Sequence, residues 1–186
     1  MDMIKERCKY TTASSSKWTP YDKRAANREL CERFPFLIPS NRFSGMKITE
    51  AGGGGFWPGT PDAVPEYNYE YTELDDMPEG WRKAFGEQMC AEIMEELVAA
   101  DLVNDFRIVQ IKEKYGSLRF YFEGGNKAVG DIVSKYEKIS SHTCIVCGAP
   151  ATKITRGWIC PYCDNCVPQK VTSVPIDEFY KDWEDS

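Results

Sequence analysis

The chain has 186 residues, with 29 acidic against 23 basic side chains and a formal net charge of −6. That balance, with an isoelectric point near 5.0, excludes attraction of the whole surface to nucleic acid but leaves room for a local basic patch. A hydrophobic fraction of 42% supplies a core for one domain with an appendage, and no apolar run reaches the length that crosses a bilayer.

Met1 to Lys9 mix charge with short apolar side chains, so no secretory leader is read there and a cytoplasmic setting, in a bacterial host cell, is expected. Residues 1–18, with the Ser14–Ser16 run, read as a loosely ordered segment. The body is expected over 19–141. Thr19-Pro20 predicts a capped helix start, the helix running through Leu30 and Cys31 and stopping before Pro35. Phe34, Phe36, Leu37 and Ile38 form an apolar anchor for the core. A Gly-rich loop follows at 51–62. It lacks the Lys-Ser/Thr pair of a phosphate-binding loop but carries Phe56 and Trp57, large aromatics of the kind used in recognition.

Tyr67, Tyr69 and Tyr71 alternate, predicting a strand with aromatics on one face. Glu66, Glu70, Glu73, Asp75 and Asp76 accompany them. These acids predict a solvated edge or, more sharply, a carboxylate surface for a basic partner. Pro78-Glu79-Gly80-Trp81 opens the longest helix, to about Leu102. Trp81, Phe85, Met89, Ile93, Leu97 and Val98 form its apolar face, and Glu87, Glu92, Glu95 and Glu96 its outer surface. Phe106 to Lys112 alternates, with Phe106, Ile108 and Gln110 on one side. Tyr115-Gly116-Ser117 turns the chain, and Leu118, Phe120 and Phe122 alternate back, predicting a hairpin. Helical spacing returns from Ala128 to Ile139. The fold class is therefore α+β, helices packed on a small antiparallel sheet.

A metal-binding module is expected over 142–168, zinc-ribbon-like or treble-clef-like. Cys144, Cys147, Cys163 and Cys166 follow the pattern C-x2-C-x15-C-x2-C, a spacing that lets four thiolates converge on one structural Zn2+ ion. Cys160-Pro161-Tyr162-Cys163 is a competing C-x-x-C. Cys163 with Cys166 is the preferred register because Trp158-Ile159-Cys160 reads as the end of a strand, and Cys160 stays as the alternative ligand. A redox use of either pair requires a helix starting inside the motif. The single histidine, His142, restricts imidazole-based catalysis, and no nucleophile–base pair is evident. Residues 169–186 read as an acidic tail with spaced aromatics, either a docking helix or a segment folded back on its own domain.

Arg28-Glu29-Leu30-Cys31-Glu32-Arg33-Phe34-Pro35, Glu79-Gly80-Trp81, the run Lys112 to Tyr121 and the paired C-x-x-C together resemble a group of small proteins of bacteriophages, prophages and bacterial mobile elements. The resemblance spans roughly Arg28 to Cys166. It implies a phage or bacterial origin and supplies no catalytic residue. With that origin, the leading expectation is a zinc-stabilised interaction protein binding a host protein, such as a defence factor, stoichiometrically. Its contacts would be Phe56, Trp57, the Glu66–Asp76 acids and the tail. The alternative is a nucleic-acid-binding module using Lys112, Lys114, Arg119, Lys153, Arg156 and Trp158; an enzyme ranks third. Membrane contact is not expected.

Overall fold

The computed structural model describes residues 20–41, 45–48 and 67–184. The expected segment 1–18, the 51–62 loop with Phe56 and Trp57, and Glu66 lie outside the described residues.

Helix α1 (Pro20–Arg33) begins with proline at its first position, where the missing N–H costs nothing. Pro35 ends it, and a 3-10 turn (Pro35–Leu37) drops Phe36 and Leu37 into the core. There Phe36 meets Phe106 edge to face at 5.2 Å. This is the core anchor expected from the apolar cluster.

The alternating tyrosines do not form a strand. Tyr69 adopts a left-handed backbone, φ 57°, which breaks the extended run. Its carbonyl accepts a hydrogen bond from Asn27 Nδ2 at 2.8 Å, and its ring lies under the Arg28 guanidinium. Alternation of side chains is only half of a strand; the other half is a partner for the backbone, and here Tyr69 is tied to α1 while the Tyr67 hydroxyl donates to the Tyr71 carbonyl. A 3-10 turn follows (Glu73–Asp76), closed by a capping box in which the Thr72 N–H donates to Asp75 Oδ2 at 2.7 Å.

The long helix starts as one α-turn (Glu79–Trp81), passes through a π-helical stretch (Arg82–Gly86) and continues as α2 (Glu87–Ala99). Trp81, Phe85, Met89, Ile93 and Leu97 are all buried. Their unbroken four-residue spacing exceeds the α-helical 3.6, so a straight α-helix would rotate the stripe off the core; the wider π-turn compensates part of that drift. Val98, expected on this face, is 61% exposed, because it sits one residue beyond Leu97 and therefore about 100° around the helix.

Strands β1 (Arg107–Lys114) and β2 (Ser117–Glu123) pair antiparallel around Tyr115-Gly116. Both turn residues have positive φ, 53° and 78°, the geometry of a two-residue type I′ turn. Simple alternation fails in β1. The register shifts between Ile108 and Gln110, so Val109 bulges outward and Ile111, not Gln110, joins Ile108 in the core. Helix α3 (Lys127–Ser140) covers the other edge of β2. Its Ser140 Oγ accepts from the Leu118 N–H at 2.8 Å, and its Glu137 Oε1 from the Phe120 N–H at 3.2 Å. Side chains thus close an edge that would otherwise offer unpaired amides.

The helix-surface acids are fasteners. Glu92 is held by Lys135 and by the Tyr136 hydroxyl, the latter donating at 2.7 Å. Glu96 accepts from Asn126 Nδ2 at 2.7 Å while Asn126 Oδ1 caps α3 at the Val129 N–H. Glu87 pairs with Arg33. A second sheet, order β4-β3-β5, lies C-terminal: β3 (Lys153–Thr155), β4 (Pro161–Tyr162) and β5 (Ser173–Pro175). Helix α4 (Ile176–Glu184) follows directly. The segment expected as an acidic tail thus supplies a strand and a helix to its own domain. Its Ile176 is buried, and Tyr180 stacks on His142 at 5.0 Å. No helix among the described residues is long and apolar enough to cross a membrane.

Two carboxyls tie stability to pH. The hydrogen bond from Lys135, reinforced by Tyr136, holds Glu92 below its usual range. Burial alone would raise Asp75, but the Thr72 N–H and the Arg82 charge outweigh it and lower it. Depressed folded pKa values mean stability fully present above the ordinary carboxylate range and lost as pH falls through the folded values. Urea midpoints should therefore drop below about pH 4, and drop less in a double variant carrying Asp75→Asn and Glu92→Gln; an identical acid loss in both proteins contradicts these roles.

Candidate metal centre

Two tight turns carry the four cysteines of the repeated motif. In the first, the Cys144 N–H donates to the Ala149 carbonyl at 2.7 Å and the Gly148 N–H returns to the Cys144 carbonyl at 2.9 Å. Gly148, at φ 77°, takes the left-handed conformation that such a turn demands. In the second, the amides of Cys166 and Val167 both point at the Cys163 carbonyl, at 3.0 and 3.1 Å. Backbone bonds from Ile145 to Pro161 and from Thr152 to Tyr162, at 3.0 and 2.9 Å, lay the turns side by side.

The sulfurs of Cys144, Cys147, Cys163 and Cys166 lie within 4.8 Å of one another. Cys147 and Cys163 approach to 3.6 Å, far beyond a disulfide bond. A tetrahedral ion with metal–sulfur bonds of about 2.3 Å has sulfur–sulfur edges of roughly 3.8 Å, so the observed separation fits a shared cation. Cys144, Cys147 and Cys163 are buried and Cys166 half-buried. Burial first, then hydrogen bonds with Cys147 and Cys163, push the Cys166 thiol well up; a divalent cation reverses that balance by binding thiolate.

Cys160 lies outside the quartet. Its N–H donates to Thr155 Oγ1 at 3.0 Å and its carbonyl accepts from the Thr155 N–H at 3.1 Å, so the β3–β4 connection fixes it in place. Burial, and then the Glu113 charge, push its thiol up to about 11. It is a packed side chain, not an accessible nucleophile.

The first turn is joined to the body by direct backbone contact. The Gly80 N–H donates to the Ile145 carbonyl at 3.0 Å. A Cβ on Gly80 would stand 2.3 Å from the Cys144 oxygen, and one on Gly148 would stand 2.5 Å from the Gly80 oxygen. Beside this contact the fully buried Trp81 donates from Nε1 to the Thr143 carbonyl at 2.9 Å. The Gly80 and Trp81 roles are absent from a motif reading of the cysteines, although the short run Glu79-Gly80-Trp81 carries their only local trace.

The other expected site residues are scattered differently. Glu73 is buried, Asp75 is engaged by Arg82 and Lys23, and Glu70 pairs with Arg24. Asp76 is exposed and takes a hydrogen bond from Tyr71. Cations from α1 and the π-stretch thus offset the charge of Glu70 and Asp75. Lys153 pairs with Asp164 at 3.3 Å. Lys112, Lys114 and Arg119 stand on the outer face of the β1–β2 hairpin, and Arg156 and Trp158 at the β3–β4 turn.

Gly80→Ala should destabilise the protein by about 1–3 kcal/mol or more, since a methyl group cannot enter backbone already in contact. Urea denaturation measures this. Gly130→Ala, at a helical glycine with open space around it, serves as the control and should be neutral or slightly stabilising; equal effects at the two positions contradict the contact. No protein-family model, no curated protein and no solved structure matches the chain.

Proposed function

We propose that the chain is a zinc-stabilised binding protein of phage or mobile-element origin, acting by stoichiometric contact with a partner inside a bacterial cell. The observation that carries the reading is the sulfur quartet within 4.8 Å. Four soft thiolate donors in that geometry suit zinc, and they take all four positions of a tetrahedral ion, leaving none for a substrate. The metal is therefore structural. Energetics support this too. The buried cluster around the quartet consists of the cysteines and Ala149, with Tyr162 packed on it. So small a core does not hold two turns together unaided, and metal binding supplies the missing folding free energy.

Origin and partner rest on other grounds. The phage or mobile-element origin rests on the resemblance of the Lys112–Tyr121 run and the paired C-x-x-C, and with it comes a partner supplied by the host. Of the described acids expected to meet a basic host protein, Glu70 and Asp75 already carry ion pairs within the chain and Glu73 is buried. Binding is thereby shifted towards surfaces whose charge is not already neutralised.

Metal analysis of the purified chain should find about one zinc per molecule. Cys144→Ser, Cys163→Ser and Cys166→Ser should each lose it, whereas Cys160→Ser should keep it. Zinc retained after Cys166→Ser but lost after Cys160→Ser would overturn the ligand set, and a chain without zinc would overturn the reading.

A further inference from the structure

Two exposed aromatics stand on turns that the fold brings together. Tyr115, 68% exposed, is the first residue of the β1–β2 turn, and Trp158, 77% exposed, sits in the β3–β4 connection. Their neighbours in the chain meet: a Cβ on Gly116 would lie 3.0 Å from Ile159 Cγ2 and 3.3 Å from its carbonyl oxygen. Segments more than 40 residues apart thus meet at their tips. An open cavity of about 420 Å³ beside them is lined by Tyr115, Ser117, Arg119, Ile159 and Tyr180.

The charge around these rings is unbalanced. Lys112 and Arg119 face each other directly across the hairpin, an arrangement that repels. Lys112 Nζ donates to Gln110 at 2.6 Å and lies 5.2 Å from the Tyr121 ring. Arg119 donates to Ser117 Oγ and to its neighbour's carbonyl at 2.8 Å, and Lys114 lies over Tyr115. Among the described residues none of these three cations forms a salt bridge with a carboxylate. Of the nearby acids, Glu113 accepts the Gly116 N–H at 2.7 Å and Glu137, which lines the same cavity, the Phe120 N–H.

We infer that the paired tips and the basic face of the β1–β2 hairpin form a binding surface for single-stranded nucleic acid. Tyr115 and Trp158 stack on bases while Lys112, Lys114 and Arg119 meet the phosphates. This deepens the binding-protein reading above and rests on it, because the quartet of cysteines holds the β3–β4 turn in position. Exposed rings flanked by cations are what a flexible, unstacked strand can use. A duplex keeps its bases stacked and offers the rings no faces. A polyanion without aromatic groups would satisfy the cations and leave the faces of Tyr115 and Trp158 uncovered.

The test is fluorescence anisotropy with a labelled oligothymidylate or oligouridylate of about 12 nucleotides, against a duplex of the same length and against polyglutamate. The full chain should bind the single strand more tightly than either competitor, with affinity falling steeply as salt rises. Trp158→Ala and Tyr115→Asn, the latter chosen because asparagine tolerates the left-handed turn position, should each weaken binding about tenfold. Removing Lys112, Lys114 and Arg119 together should flatten the salt dependence by a slope of about 2. Absent binding, equal affinity for polyglutamate, or binding untouched by the aromatic variants overturns the inference. Zinc content is read on the same samples: zinc present with no oligonucleotide bound overturns this inference alone, and zinc absent overturns the reading beneath it.

Discussion

The close approach of Gly80 to Gly148 is the constraint on which the rest of the architecture depends. Two backbones come so near there that neither position has room for a methyl group. The contact fixes the first cysteine turn against the start of the long helix, and the indole N–H of Trp81 bonded to the Thr143 carbonyl locks its orientation. Trp81 belongs to the same buried cluster as Phe85, Met89, Leu118 and Tyr136. The cysteine turns are therefore joined to the main core through the Trp81 indole, the Gly80 to Ile145 backbone hydrogen bond and the packing of Ile145 on that core. A cation gripping the four thiolates would brace that junction from the far side, because it joins the docked first turn to the second one.

From that junction the positions of the surface features follow. With the first turn seated, the Ile145–Pro161 backbone bond sets the second sheet beside it, and Ile159 comes to rest against Gly116 at the tip of the hairpin. The hairpin is itself fixed by α3, whose Ser140 and Glu137 satisfy the outer amides of β2. Tyr115 and Trp158 are exposed because both lie in turns packed through their neighbours, not through their own rings. The uneven charge has a similar origin. Acids on α2 and near α1 are used to hold helices together, which leaves the outer hairpin face basic in an acidic protein.

The legible parts of the sequence were those encoded within a few residues. C-x2-C spacing, the proline at the head of α1, the Phe34–Leu37 anchor and the Tyr115-Gly116 turn are all local signals, and the structure contains each. The parts that escaped need a partner distant in the chain. Tyr67–Tyr71 alternates like a strand, but α1 claims its backbone and Tyr69 turns left-handed. One bulged residue, Val109, reverses the faces of β1, and period-two reasoning has no term for it. Asp75 looks like a surface acid until Arg82 and Lys23 arrive from elsewhere, and Glu73 until the fold buries it. Gly80 shows nothing special until Gly148 is laid on it.

The central claim is that metal, cysteine turns and body form one cooperative unit through the Gly80–Trp81 contact. Hydrogen exchange read by mass spectrometry, with and without a zinc chelator, tests it most directly. Removal of the metal should raise exchange across residues 144–167 and also in the peptide that carries Gly80 and Trp81. Faster exchange confined to 144–167, with the Trp81 peptide as protected as before, would contradict the account.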